Sequence, residues 1–171
     1  MLIKNSMQIR PANVKDAFAI SDLIKRLSPF FIAHPDGAGT EPFFAKMSAE
    51  KTAQLISSSN CSYWVAEIDG HFVGVVAMRD HMHLFHLFVD ERFHRMGIAT
   101  QLWDVAKAFA QKAGNKQGFT VNSSPYAVQL YERLGFKAVG EQSEKDGILF
   151  IPMYLSLPAQ EVSQPDEHVG D

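Results

Sequence analysis

Leu87-Phe88-Val89-Asp90-Glu91-Arg92-Phe93-His94-Arg95-Met96-Gly97-Ile98-Ala99 passes from large apolar residues, through charged ones, to a glycine and then into a new pattern. The run from His81 to Val89 reads as a strand. Beyond the glycine, Ile98, Leu102, Val105, Ala106 and Phe109 repeat at helical spacing up to Gly114. A strand, a glycine turn and a helix start together are an arrangement that can bind phosphate on physical grounds, although so short a stretch reads equally as a plain glycine turn. The helix N-terminus offers unpaired amides and the positive end of its dipole, and a turn curled around Gly97 aims several of them at one point. His94 and Arg95 add side-chain donors. The turn lacks a following Lys-Ser/Thr pair and the three-glycine spacing, so neither a P-loop nor a dinucleotide fingerprint applies.

Working outward, the clearest local structure lies upstream. Tyr63-Trp64-Val65-Ala66-Glu67-Ile68 and His71 to Met78 are two β-rich runs separated by Asp69-Gly70, the signature of a tight hairpin. Met7-Gln8-Ile9-Arg10 is a short first strand. Asn13 caps a helix whose Ile20, Leu23, Ile24 and Leu27 form one buried stripe. Ser48 caps a second helix, to about Ser57. Between these helices, Pro29 to Lys46 reads as a loop holding Phe30, Phe31, Phe43 and Phe44, which either close over the core or wall a pocket. Downstream come a strand at Gly118 to Val121, a short helix started by Ser124-Pro125, and strands at Phe136 to Val139 and Ile148 to Leu155. Trp64 and Trp103 read as packing residues.

Length and charge bound the function. The chain has 171 residues, 46% hydrophobic and 20% charged, with a net charge of −3. That suits one globular domain, taken here as residues 1–157, with a disordered acidic tail over 158–171. The charge balance argues against a nucleic-acid binder, and no apolar run is long enough to span a bilayer. One cysteine, Cys61, excludes an internal disulfide and a multi-cysteine zinc site. The first residues carry no signal-peptide core, so a reducing cytoplasm is the expected setting, and either Met1 or Met7 can open the chain. His81, His83 and His86 invite a metal reading, but no carboxylate completes a ligand set, and no metal is expected.

With Val121 to Phe136 (VNSSPYAVQLYERLGF) downstream of Leu87 to Ala99, the chain resembles the GNAT superfamily of acyl-CoA-dependent N-acyltransferases. The match runs over about residues 7–155 in element order and is specific at Leu87 to Ala99 and Asn122 to Phe136. Two positions depart from the family pattern. His94 stands where the pyrophosphate turn usually has Gln or Arg, which implies binding with an altered pH dependence. Ser124 replaces a helix-start asparagine that Asn122 could stand in for.

The resemblance implies an α/β fold: a mixed, twisted central sheet of six to seven strands flanked by four helices. Acetyl-CoA is the implied cosubstrate and a small-molecule or peptide amine the acceptor, with a homodimer in keeping with family habit. The pantetheine arm would enter a gap beside the Leu87-Phe88-Val89 strand and pair with backbone groups of Leu87 and Val89. Amides of Arg95, Met96, Gly97, Ile98, Ala99 and Thr100 would hold the diphosphate. Tyr131 is the implied acid for the departing thiolate, although it also shares an apolar face with Ala127, Leu130 and Leu134. His83, read as lying on one strand face with Leu87, is a candidate base, and Glu67 acting through water is another. Strict alternation puts His81 with His83 and His86 on the opposite face. A different class of function remains open, a non-catalytic acyl-CoA sensor that kept the cleft.

Overall fold

The computed structural model describes residues 6–159. The tail expected from 158 lies outside this range from 160 onward, as does the chain before Ser6. Along the chain run β1 (Met7–Pro11), α1 (Ala17–Arg26), α2 (Glu41–Lys46), α3 (Ala49–Ile56), β2 (Cys61–Ile68), β3 (His71–Arg79) and β4 (His83–Val89). Then follow α4 (Ile98–Lys112), β5 (Gly118–Ser123), α5 (Val128–Arg133), β6 (Lys137–Ala138), β7 (Ser143–Lys145) and β8 (Ile148–Ser156). The strands form one mixed sheet in the order β1-β2-β3-β4-β5-β8-β6, with β7 pairing the start of β8. The expected α/β architecture holds. The sheet has eight strands, the short β7 being the addition, and α2 joins the four expected helices.

Sequence chemistry explains the elements. Asp69 and Gly70 both adopt positive φ (50° and 80°), which gives the β2–β3 hairpin the twist its strands require. The Asn13 side chain accepts from Lys15 N and the Asp16 side chain from Asn13 N, starting the turn that leads into α1. α2 begins at Glu41-Pro42 inside the stretch read as a loop, because proline in a first helical turn forfeits no hydrogen bond.

Apolar side chains split into two cores, one on each face of the sheet. Trp64, Val76, Met78, Leu84, Val89, Leu102, Trp103, Phe119 and Phe136 pack under α4. Ile20, Leu23, Ile24, Phe31, Met47, Tyr63, Val75 and Ala77 pack under α1 and α3. Burying sides of this size contributes about 1.5–3 kcal/mol each, so both layers stabilise the sheet between them.

Two irregularities position the site. In β4, Ala77 pairs with His86 and Met78 with Leu84, leaving Phe85 as an extra residue in a bulge. The parallel pairing of β4 with β5 consists of His83 with Thr120 and Leu84 with Val121 only, after which the strands part.

Candidate active site

The bulge corrects the reading of the histidine strand. Residues paired across a sheet share a face, so Arg79 with His83 and Ala77 with His86 lie on the α1–α3 side, while Val76 with Leu87 lies on the α4 side. His83 and Leu87 are therefore on opposite faces, and His86 shares its face with His83. A single extra residue reverses every later alternation. His81 precedes the strand in a left-handed turn (φ 54°) and packs against Phe109 of α4, with ring centroids 5.7 Å apart. Among the described residues no group of three His, Cys, Asp or Glu could hold a metal ion.

Where β4 and β5 part, a cleft of about 1420 Å³ opens. That exceeds the roughly 300–1,000 Å³ of a pocket for one small molecule, leaving room for two reactants. Its edge is chemically live. Asp90 N–H bonds to Val73 O on β3, so alternation along β4 turns the backbone groups of Leu87 and Val89 to the other edge, toward the opening.

The turn after β4 has a geometry that can receive an anion. Arg95 and Gly97 both have left-handed backbones (φ 63° and 78°), and Gly97 stands at the start of α4. Among the described residues, no amide from Arg95 to Thr100 donates to a protein acceptor. Consecutive amides around left-handed residues form an anion-binding concavity, reinforced here by the helix dipole. The Met96 side chain is exposed and stays out of the cleft, so only its amide belongs to this cradle.

Asp90 holds the turn in place. Its buried carboxylate accepts from Arg92 N (3.0 Å), Arg92 Nη2 (2.8 Å) and Arg26 Nη1 (3.2 Å). These bonds, chiefly those from Arg92, keep its pKa well below the usual carboxylate range. His94 behaves differently from the expectation. Its Nε2 lies 2.7 Å from Val89 O, so the ring braces the strand end and does not offer that nitrogen to a phosphate.

The remaining expected residues separate cleanly. Tyr131 lines the cleft, its ring against Phe136 at 5.6 Å, and burial pushes its phenol above the ordinary value of 10.0. His83 also lines the cleft, with Nδ1 2.8 Å from Thr120 Oγ1. Burial first, and the Arg79 charge second, lower its pKa below 6.5. Asn122 and Ser124 line the cleft on the β5 side, and the Ser124 side chain accepts from Ala127 N at 3.2 Å.

Glu67 does not line the cleft. It binds Arg10, which also binds Asp16 (2.7 and 2.8 Å), an ion-pair cluster that ties β1 to β2. Glu67 is thus placed outside the cleft lining, committed to this ion-pair cluster.

Tyr126 and Arg79 were missed by the sequence reading, while Phe30 and His86 were named there without their place in the site. Phe30 and Tyr126 stack with centroids 4.5 Å apart, and both line the cleft. Arg79 lies 4.1 Å over the Phe85 ring. His86 is 5% exposed, and burial pushes its pKa down to about 3. Its Nε2 has no partner among the described residues. Phe30 follows from the Phe-rich segment, whereas Tyr126 lies outside it, in the turn before α5. The other two depend on the bulge, which has no sequence signal of its own.

The cleft's outer wall depends on Gly147, in the turn between β7 and β8. Its carbonyl accepts from Ala33 N at 2.7 Å. Its φ is +70°, and a Cβ there would meet Ala38 O and Thr40 Cγ2 at 2.8 Å, so only glycine lets hairpin and loop close together.

Comparison with known proteins gives a consistent assignment. A family model described as an Acetyltransferase (GNAT) domain matches residues 31–157. The probable N-acetyltransferase camello of Xenopus laevis is 36% identical over 88 residues, 47% of this chain and 40% of that protein. The N-acetylaspartate synthetase of Homo sapiens is 32% identical over 132 residues, 72% of this chain and 39% of its own length. The chain thus spans less than half the length of these curated relatives. Among solved structures, the PaiA N-acetyltransferase of Thermoplasma acidophilum in complex with coenzyme A superposes with a TM-score of 0.71 at 17% identity, covering 88% of this chain and 99% of that one. An aminoglycoside 6'-N-acetyltransferase complexed with coenzyme A gives 0.68 at 15% identity, covering 90% and 99%.

Proposed function

The chain belongs to the GNAT acetyltransferase family, and on that premise we propose that it moves an acetyl group from acetyl-CoA to a primary amine by direct attack, with no covalent enzyme intermediate. The observation that carries this reading is the row of unpartnered amides from Arg95 to Thr100 at one end of an open strand gap. A diphosphate fits the first, and an amide-bearing arm fits the second by strand addition.

Acetyl-CoA supplies an activated thioester, whose thiolate leaves with a pKa of about 8.5 by analogy with cysteine. The protein's residues take the other tasks. Leu87 and Val89 orient the arm through their backbone groups, the Val89 carbonyl being shared with His94. His83 is the base: with Nδ1–H donating to Thr120, Nε2 is left free to accept the amine's proton. Its lowered pKa keeps it neutral, and so able to accept, at neutral pH.

Tyr131 faces the departing sulfur as a donor. Burial raises its pKa further above that of the thiol, so full proton transfer to sulfur is uphill. The phenol's contribution is a hydrogen bond to charge building on sulfur, in a site where such a bond is strong.

No helix among the described residues is long and apolar enough to cross a membrane, and the lone buried Cys61 fits a reducing cytoplasm. The test is calorimetric binding of acetyl-CoA together with thiol release over a panel of amines. Binding plus turnover supports transfer. No binding overturns the reading, and binding without turnover on any amine makes the protein a sensor.

A further inference from the structure

We propose, resting on that transferase reading, that the acceptor is a primary amine carrying a carboxylate and an apolar side chain, an amino acid or the amine end of a short peptide. The argument begins with charge. The whole chain is acidic, at −3, yet the cleft is not. Lys46, Lys51, Arg79, Arg95, Arg133 and Lys145 line it against a single carboxylate, Asp146.

These cations have different work to do. Arg95 belongs to the diphosphate turn. Asp146 lies 3.6 Å from Lys46 Nζ and so offsets one charge. Arg79, Lys51, Lys145 and Arg133 remain, from four separate elements, and none forms an ion pair among the described residues. Arg79 shares a face with His83, the proposed base, because the two are paired across β3 and β4. α3, which carries Lys51, packs on that same face.

An amine reacts only when neutral, and nearby fixed cations favour its neutral form while weakening the hold on any polycation. Polyamines and aminoglycosides are therefore poor fits. A carboxylate near the amine turns the same charges into attraction. Arg79 is suited to receive it. Its guanidinium is stacked on Phe85 at 4.1 Å, which fixes the plane and leaves the edge for a two-bond contact with a carboxylate. Phe31, Phe43, Met47 and Leu55 line the same cleft, an apolar wall that matches a hydrocarbon or aromatic side chain.

The experiment uses the full chain and matched acceptors: phenylalanine, phenylalaninamide, phenethylamine, the dipeptide Phe-Leu, spermidine and kanamycin. Initial rates are read by thiol release with acetyl-CoA, and binding by calorimetry with desulfo-CoA present. The expected result is a kcat/KM for a carboxylate-bearing member at least about tenfold above its amide and decarboxylated partners, the size of a lost charged hydrogen bond. Preference for phenylalanine over Phe-Leu, or the reverse, tells the free amino acid from the peptide. Arg79→Gln should shrink the carboxylate preference at least about tenfold and Lys51→Gln should shrink it less, with Arg79→Lys intermediate. Circular dichroism confirms that each variant is folded.

Turnover of the amide or of spermidine at equal or greater efficiency overturns this inference and leaves the transferase reading intact. Turnover of none of them, with acetyl-CoA still bound, overturns the transferase reading. The calorimetry then decides the acceptor question separately, since equal affinity for phenylalanine and its amide counts against a carboxylate site.

Discussion

The imidazole Nε2 of His94 stands 2.7 Å from the carbonyl oxygen of Val89. It fastens the anion turn to the last residue of β4, beyond the last rung that joins β4 to β5.

Removing that brace should affect cosubstrate binding before chemistry. In His94→Ala, the KM for acetyl-CoA is expected to rise about fivefold, the worth of one neutral hydrogen bond, with kcat within about twofold of the parent. Steady-state kinetics at pH 6, 7 and 8.5 check this. A collapse of kcat with an unchanged KM would place His94 in the chemical step.

Tyr131→Phe removes one hydroxyl from a buried ring and leaves its packing on Phe136. Turnover should fall about a hundredfold, while acetyl-CoA affinity by calorimetry stays within about twofold. Because burial raises the phenol's pKa above 10.0, the parent's rate should show no loss from Tyr131 ionisation up to pH 10.

His83 sets the acid side of the rate profile. Its neutral form is the active one, and its pKa lies below 6.5. Activity is therefore retained at pH 6.5 and lost as the pH falls further, through the His83 value. In Arg79→Gln, the acid limb of kcat/KM should move to higher pH, since one cause of the lowering is gone. A limb that stays in place there, and also in His83→Gln, would assign it to another group.

Asp90→Ala tests stability. Asp90 is 1% exposed, but the Arg92 and Arg26 side chains are 74% and 46% exposed and can return to water. The cost should then fall below that of breaking a fully buried pair, at about 2 kcal/mol by urea denaturation. The sign with pH follows from its depressed pKa. The stabilisation is complete above the unfolded carboxylate range near 4 and fades as pH falls, so parent and variant should converge in acid. Parallel curves down to pH 2 would assign the stability to packing alone.

Most of the fold was legible because local chemistry specified it. The Asp69-Gly70 turn, the Ser48 cap and the Ile98 to Phe109 stripe each carry their own signal over a few residues. The anion turn was legible for the same reason. What escaped depended on distant partners. Glu67 looked like a free carboxylate until Arg10, 57 residues away, was placed beside it. The Phe85 bulge is fixed by pairing with β3, and it alone moved His86 onto the face of His83. α2 was hidden by the glycines before it, although Pro42 in its first turn was a usable sign.

Two rungs, His83 with Thr120 and Leu84 with Val121, join the antiparallel ribbon β1–β4 to the strands that follow. A molecule lying along the open seam would act as mortar between the two panels. Its grip would appear as slower amide exchange along the free edges of β4 and β5, and as protection from proteases. Occupancy would then be readable from the sturdiness of the seam itself, without following the reaction.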